Sequence, residues 1–157
     1  MSFPGIPSLD AAVMAFIQTH FHNTVTDTVF PIITSLGEAG IGWIVLSLVL
    51  LCFKKTRRTG GLVLIAMTVT LLFGELTLKN IICRLRPCNV FTNFPMLIAR
   101  PTSYSFPSGH TSSSFAAALI LTLRHKKVGW LAYIPAVLIA FSRIFLFVHY
   151  PTDVLAG

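Results

Sequence analysis

Residues 60–82 of this chain have the sequence GGLVLIAMTVTLLFGELTLKNII, with only two charged side chains, Glu75 and Lys79. A helix needs roughly 20 mainly apolar residues to cross the hydrocarbon core of a bilayer. This segment has that length and composition. The whole chain agrees with it, because 54% of its residues are hydrophobic and only 11% are charged. We therefore predict a membrane protein rather than a soluble domain.

Three other apolar segments accompany this one. They cover residues 28–53, 108–123 and 128–148, and the segment at 108–123 is the shortest. Each is close to the length that a membrane-crossing helix needs. No internal repeat or low-complexity tract divides the chain. We predict an all-α fold, a polytopic transmembrane helical bundle that forms a single membrane domain over residues 1–157.

The amino-terminal segment, residues 1–26, differs from these spans. Between Leu9 and Phe21 its apolar side chains recur at helical spacing, but this helix is too short to cross a bilayer. It also carries the polar residues Asp10 and Gln18. The pattern predicts a helix that lies in the membrane interface.

Two short connections, residues 54–58 and 124–127, are rich in lysine and arginine. Such loops are enriched on the cytoplasmic side of membranes. Each follows an odd number of predicted crossings, so both can lie on the cytoplasmic side at once. The second and fourth spans then run outward, and the third begins at the outer face. This orientation predicts a multi-pass protein of the cell membrane.

The outer face receives an excess of positive charge. Five of the twelve lysines and arginines fall there: Lys79, Arg84, Arg86, Arg100 and Arg143. The chain has only five acidic residues, and Glu75, one helical turn from Lys79, is the expected partner of that lysine. Unpaired cations in a partly desolvated pocket indicate an anionic ligand, and arginine suits the bidentate geometry of phosphate.

Three segments of this outer face form a recognisable set. They are Lys79 followed after six residues by Arg86-Pro87, then Pro107-Ser108-Gly109-His110, then Ser142-Arg143 followed by His149 and Asp153. In this order and spacing they resemble the three-part signature of the type 2 phosphatidic acid phosphatase superfamily, and every fixed position is present. The resemblance covers roughly residues 60–157.

The residues of the second segment support this interpretation by themselves. Ser108 is placed to cap the third span, and Gly109 permits close approach of a ligand to the first helical amides. A simple helix cap would explain these two residues. It would not explain the titratable His110 in the same turn.

The third segment places a histidine at a helix break. Pro151 cannot continue a helix through His149 but can open the next one. Asp153 then lies in the first turn of that next helix. From there its carboxylate can accept the Nδ1 proton of His149 and leave Nε2 free to attack.

The resemblance implies a mechanism. His149 attacks phosphorus and forms a covalent phosphohistidine, Asp153 orients His149, and His110 protonates the leaving oxygen and then activates water. The phosphoryl oxygens are held by five residues: Lys79, Arg86, Ser108, Gly109 and Arg143. No metal and no other cofactor is implied, and the outer face has too few carboxylates for a two-metal phosphatase.

The implied activity is hydrolysis of a lipid phosphate or diphosphate on the extracytoplasmic face. The partners are that substrate and membrane lipid, with no nucleic acid, and the oligomeric state is left open. The outward site and short loops are similar to bacterial members that act on undecaprenyl diphosphate, with phosphatidic acid and phosphatidylglycerol phosphate as alternatives. An anion transporter would also use outward cations, but transporter sites tend to lie at the membrane midplane.

Members of the superfamily carry a further span after the His and Asp motif, whereas this chain ends at Gly157. We therefore expect residues 149–157 to be the start of a truncated last span, with the final span missing. That loss would put the activity of this exact chain in question.

Four outer residues match no fixed position of the signature. Arg84 and Arg100 are expected to contact lipid head groups or to be solvated loop charges. Cys83 and Cys88 are expected to pack as free thiols, with a disulfide between them as the alternative.

Overall fold

Helices account for the regular structure of the computed structural model, which describes residues 3–157. Within that range there is no β-strand, so the predicted all-α class is confirmed. The α-helices are α1 Ser8–His20, α2 Thr24–Leu36, α3 Ile41–Leu51, α4 Arg57–Thr70, α5 Lys79–Ile82, α6 Pro87–Val90, α7 Gly109–Arg124, α8 Tyr133–Phe145 and α9 Pro151–Ala156. A π-helical segment, Leu71–Leu78, joins α4 to α5, and 3₁₀ turns at Glu38–Gly40 and Gly129–Ala132 precede α3 and α8.

The centre of the bundle is α7, which packs against both α4 and α8. Ala117 and Ala118 of α7 are fully buried, and their small side chains let the neighbouring helices approach closely. Ser114 on the same helix accepts a hydrogen bond from Trp43 Nε1 of α3 at 2.9 Å. These contacts hold α7 from several sides and so give its amino-terminal turn a defined position.

Residues 28–53, predicted as one span, form a bent pair of helices instead. The axes of α2 and α3 differ by 46°. Between them the backbone is left-handed at Ala39 (φ 48°) and Gly40 (φ 70°), which interrupts helical hydrogen bonding. Gly40 also lies against the side chain of Met67, so a Cβ atom there would collide with it. The bend carries the 3₁₀ turn Glu38–Gly40 to the end of the bundle where α7 begins.

Among the residues that the structure describes, one helix is long and apolar enough to cross a membrane alone, Arg57–Val90. The bent pair of α2 and α3 adds a second if its halves count as one span, and Gly129–Phe145 is a shorter apolar helix. Ile65 and Phe73 on the long helix are 62% and 66% exposed. Large exposed apolar side chains of this kind are expected to contact lipid. The chain is therefore a membrane protein.

The two basic connections lie at the same end of the bundle. Thr59, at the start of α4, and His125, just after α7, are joined by a hydrogen bond between Oγ1 and Nε2 at 3.1 Å. The helices that begin or end at this point carry the signature segments at their other ends. The bundle therefore has a basic end and a motif end.

The amino-terminal helix has two of its polar residues, Asp10 and Gln18, facing inward, and its position in the membrane interface stays a prediction. Asp10 is fully buried, and Gln18 is buried and donates from Nε2 to the carbonyl of Phe145 at 3.0 Å. Leu9 and Phe16 are exposed large apolar side chains of this helix, at 60% and 55%. Buried polar and apolar side chains together dock α1 on α8 and α9, while Leu9 and Phe16 face the surroundings.

Candidate active site

His149 lies in the connection between α8 and α9. This connection, residues 146–150, is buried throughout. Phe147 has a left-handed backbone (φ 60°), which is rare for residues other than glycine and concentrates at functional sites. The His149 amide donates to the Arg143 carbonyl at 3.2 Å, and Pro151 opens α9 as predicted. The break between the helices thus holds the His149 ring in one place.

The two ring nitrogens of His149 face different partners. Nε2 lies 2.8 Å from Arg86 Nη1, and because a guanidinium can only donate, Nε2 accepts and the ring proton sits on Nδ1. Nδ1 faces Asp153 Oδ2 at 3.6 Å, longer than a hydrogen bond. Burial lowers the pKa of His149 to about 3, although the Asp153 carboxylate acts in the opposite direction. The ring is therefore neutral near pH 7, with its lone pair on Nε2.

Three buried cations lie near one another, and two of them, Arg86 and Arg143, act directly on this ring. Lys79, Arg86 and Arg143 are 4%, 4% and 3% exposed. Lys79 Nζ binds both carboxylate oxygens of Glu75, at 2.6 and 2.7 Å, so the predicted pairing within the helix is confirmed. The two arginines have no carboxylate partner among residues 3–157. The pocket keeps an excess of positive charge.

The two arginines are oriented by neutral groups. Arg86 donates from Nε to the Ser103 carbonyl at 2.8 Å and from Nη1 to the Val148 carbonyl at 2.9 Å. Arg143 Nη1 donates to the hydroxyl of Thr34 on α2. Its Nε is buried without an acceptor in the described part of the chain. Neutral acceptors hold a guanidinium in place without cancelling its charge, so both arginines can still attract an anion.

The start of α7 lies beside these cations. Ser108 occupies the predicted N-cap position, but its hydroxyl makes no capping bond and instead accepts from Thr111 Oγ1 at 3.0 Å. The Ser108 amide donates to the Asp153 carbonyl at 3.1 Å, which ties α7 to α9. The first amides of a helix have no acceptor within it, so the turn that follows offers donors to a bound anion.

We expect Gly109→Ala to weaken the binding of inorganic phosphate about tenfold or more. A Cβ atom at Gly109 would collide with the Glu75 carboxylate and displace both it and Lys79. One hydrogen bond to a charged group contributes about 1.5–3 kcal/mol, and 1.4 kcal/mol corresponds to a tenfold change in affinity. Calorimetric titration in detergent measures the effect. Gly61→Ala is the control, because a Cβ atom at Gly61 meets nothing within 4 Å; equal affinities in the two variants would contradict the prediction.

His110 occupies the first turn of α7, close to the same charges. Lys79, Arg86, Arg143 and His149 are all near enough to act on it electrostatically. Its Nε2 is buried without a hydrogen-bond partner in the described residues and lies 3.6 Å from the Glu38 carboxylate of the bend. Sequence analysis did not single out Glu38, because the bend that brings it here was not predicted. The structure thus joins the second signature segment to the other two.

Asp153 is the most completely bonded acid of the site. Oδ2 accepts from the Tyr150 amide at 2.9 Å and from the Ser105 hydroxyl, and Oδ1 accepts from Arg84 Nη1 at 2.6 Å. Sequence analysis missed Ser105 and Tyr150, since neither type of residue carries a charge signal. It also placed Arg84 in lipid head groups or solvent, which is wrong: Arg84 is a partner of Asp153.

The other outer residues outside the signature have structural contacts. Arg100 donates to the backbone carbonyls of Thr92 and Phe94, at 2.7 and 2.9 Å, and to that of Cys88. Arg100 is exposed and bonded to its own loop, which agrees with the second of its two expected roles, a solvated loop charge. Cys83 and Cys88 are free thiols, and Cys88 is fully buried in an aromatic cluster. The expectation of packing holds for Cys88, whereas Cys83 is exposed.

The eight predicted site residues lie at the motif end of the bundle, around a neutral histidine and an excess of buried cations. This arrangement defines a helical membrane protein with an anion pocket. The PAP2 superfamily matches residues 59–157 of the chain. The chain belongs to this superfamily, the type 2 phosphatidic acid phosphatases, as the signature predicted.

Known relatives agree with this assignment. The undecaprenyl-diphosphatase of Sulfolobus acidocaldarius is 39% identical over 116 residues, which is 73% of this chain and 56% of the relative. The undecaprenyl-diphosphatase BcrC of Bacillus subtilis is 33% identical over 87% of this chain and 69% of its own length. A crystal structure of the PAP2-type phosphatidylglycerolphosphate phosphatase from Bacillus subtilis superposes with a TM-score of 0.75 at 29% identity, covering 99% of this chain and 80% of that one. The chain thus spans a little over half the length of the Sulfolobus relative.

Proposed function

We propose that this chain is the catalytic part of a multi-pass membrane phosphatase that hydrolyses a lipid phosphate or diphosphate through a phosphohistidine. One observation carries the proposal. His149 is buried and neutral, and its Nε2 lone pair faces Arg86, which together with Arg143 supplies positive charge that no carboxylate among residues 3–157 cancels. A nucleophile and a phosphate-binding pocket in direct contact are what in-line phosphoryl transfer requires.

The reaction then has two steps. In the first, a bond forms between His149 Nε2 and phosphorus while the bond from phosphorus to the leaving oxygen breaks, and His110 gives that oxygen a proton. In the second, His110 takes a proton from water, the water oxygen attacks phosphorus, and the bond to Nε2 breaks to release phosphate. Asp153, which faces Nδ1, offsets the positive charge that the His149 ring acquires while it carries the phosphoryl group.

The cations and the start of α7 have a separate role in this scheme. Lys79, Arg86 and Arg143, with the Ser108 hydroxyl and the Gly109 amide, bind the three non-reacting oxygens of the phosphoryl group. The cations are buried beside the reacting group before the substrate binds, so they stabilise the transition state with little reorganisation beyond the release of Arg86 from His149. The substrate contributes the negative charge that the pocket lacks.

The proposed substrate is undecaprenyl diphosphate, with phosphatidic acid and phosphatidylglycerol phosphate as alternatives. The support comes from relatives that are named undecaprenyl-diphosphatases, one of which is 39% identical to this chain. The phosphatidylglycerolphosphate phosphatase neighbour, at 29% identity, is the reason to retain the second class of lipid. A lipid substrate also agrees with the exposed apolar surface along Arg57–Val90.

The proposed orientation puts the site on the extracytoplasmic face of the cell membrane. The basic end of the bundle, marked by the contact between Thr59 and His125, is the cytoplasmic end by the positive-inside rule. The motif end then faces outward. An anion transporter is the less favoured function, because its site is expected at the membrane midplane rather than at one end of the helices.

Phosphate release by the purified protein in detergent tests this function. We expect release in the presence of EDTA, fastest from undecaprenyl diphosphate and slower from phosphatidic acid, phosphatidylglycerol phosphate and the soluble ester p-nitrophenyl phosphate. Charge neutralisation by side chains alone is the reason that a chelator should not matter. Activity that disappears with EDTA and returns with a divalent cation would argue against the mechanism. Equal rates on soluble and lipid esters would argue against a lipid substrate.

A further inference from the structure

The amino-terminal helix contributes a buried acid to the motif end of the bundle. Asp10 of α1 is fully buried and lies outside the matched residues 59–157. Its Oδ1 accepts from the Thr152 amide at 2.9 Å, and its Oδ2 accepts from Thr152 Oγ1 and from Arg84 Nη2, both at 2.7 Å. A buried carboxylate is costly unless it is paired in this way, so the contact is a specific one.

Arg84 connects this acid to the reaction centre. While Nη2 binds Asp10, Nη1 binds Asp153 Oδ1 at 2.6 Å and Thr152 Oγ1 at 2.7 Å. The guanidinium also lies over the Tyr150 ring, 3.8 Å from its centroid. A chain of direct contacts therefore runs from Asp10 through Arg84 to Asp153, whose other oxygen faces His149 Nδ1.

The charges in this chain explain why two acids are needed. Arg84 by itself would neutralise Asp153, and a neutralised carboxylate could not offset the charge that develops on the His149 ring. Asp10 supplies a second negative charge to the same guanidinium. Two carboxylates and one guanidinium leave a net charge of −1 beside His149.

We propose that Asp10 is a positioning residue that acts through Arg84, holding Asp153 in place and keeping its negative charge available to His149. The inference rests on the proposed function, since it gives His149 and Asp153 the roles assigned there. It extends the machinery beyond the three signature segments to the amino-terminal helix. Docking of α1 is then a condition for full activity.

A cycle of charge variants tests the proposal. Asp10→Asn keeps the shape of the side chain but makes the cluster neutral. We expect kcat to fall roughly 10- to 100-fold, by analogy with substitution of residues that orient a metal ligand. KM should stay within about twofold, because the substitution is expected to affect the chemical step and not the binding of the substrate. The double variant Asp10→Asn with Arg84→Met restores the net charge of −1 and should recover kcat to within about threefold of the parent. Comparison of the single and double variants isolates the interaction between Asp10 and Arg84.

Matched controls separate this role from simple docking. Gln18→Met removes the buried hydrogen bonds from Gln18 to the Ile144 and Phe145 carbonyls without changing any charge and should keep the parental kcat. An equal fall in kcat for Gln18→Met and Asp10→Asn would overturn the proposal in favour of docking alone. If Asp10→Asn does not fold, the comparison of the double variant with the parent decides: near-parental kcat supports the inference and a 10-fold or larger loss overturns it.

The parent function is tested in the same series. Loss of activity in His149→Ala together with normal kcat in Asp10→Asn would overturn only the role of Asp10. Retention of activity in His149→Ala would overturn the proposed function itself. The two failures are therefore distinguishable.

Discussion

His149→Ala is expected to lower kcat by at least about 10⁴-fold, since removal of a nucleophile in a covalent mechanism leaves only binding and electrostatic contributions. The pocket itself should survive. Arg86 keeps its bonds to the Ser103 and Val148 carbonyls, and Arg143 keeps its bond to Thr34. The variant should therefore bind inorganic phosphate while releasing none from a lipid substrate.

Two measurements complete this test. With a substrate labelled in the transferred phosphoryl group, rapid acid-free quenching should trap label on the parent protein and none on His149→Ala. His125→Ala is the control, because this histidine lies at the basic end of the bundle, bonded to Thr59. Label on His149→Ala, or a comparable loss in His125→Ala, would contradict the assignment of the nucleophile.

His110→Asn is the second large effect, with an expected loss of roughly 10²- to 10⁴-fold in kcat, the usual contribution of a general acid and base. The substitution should slow the formation and the hydrolysis of the phosphohistidine to different extents. A diphosphate leaves as a lipid phosphate, which needs little help from an acid, whereas attack by water still needs the base. With a diphosphate substrate, phosphorylated protein should accumulate.

The choice of substrate makes this prediction specific. A monophosphate leaves as a lipid alcohol, which needs protonation, so with phosphatidic acid the first step should stall and no label should accumulate. Ser113→Ala is the matched control, since its hydroxyl donates to the His110 carbonyl at 3.3 Å but has no part in proton transfer. Absence of trapped label with both substrates in an otherwise folded His110→Asn would remove the two-step role from His110.

Much of the site was predictable because charged side chains are costly to bury in a chain that is mainly apolar. Cations such as Lys79, Arg86 and Arg143 cannot be buried in a membrane protein without a reason, and spacing along each helix placed them at one end. His149 was predictable in the same way, since the proline two residues later forces a helix break. The short-range pairing of Glu75 with Lys79 followed from one turn of helix.

The charged partners that sequence analysis missed are distant in the chain. Asp10 and Arg84 are 74 residues apart, and Arg84 and Asp153 are 69 apart. Local pattern shows that a charge needs a partner but not which one, so Arg84 appeared to be a loop charge. The bend in residues 28–53 was missed for another reason. The bend coincides with left-handed backbone at Ala39 and Gly40, a local conformation that hydropathy does not record.

The contact between Arg86 Nη1 and His149 Nε2 has a consequence for selectivity. In the empty pocket the reactive lone pair is occupied by a hydrogen bond of 2.8 Å. It becomes free only when another acceptor draws the guanidinium away, and the oxygen of an incoming phosphate is a stronger acceptor than a neutral imidazole. This hydrogen bond thus protects His149 from uncharged electrophiles that reach the membrane surface. The charge of the substrate releases Nε2 for reaction.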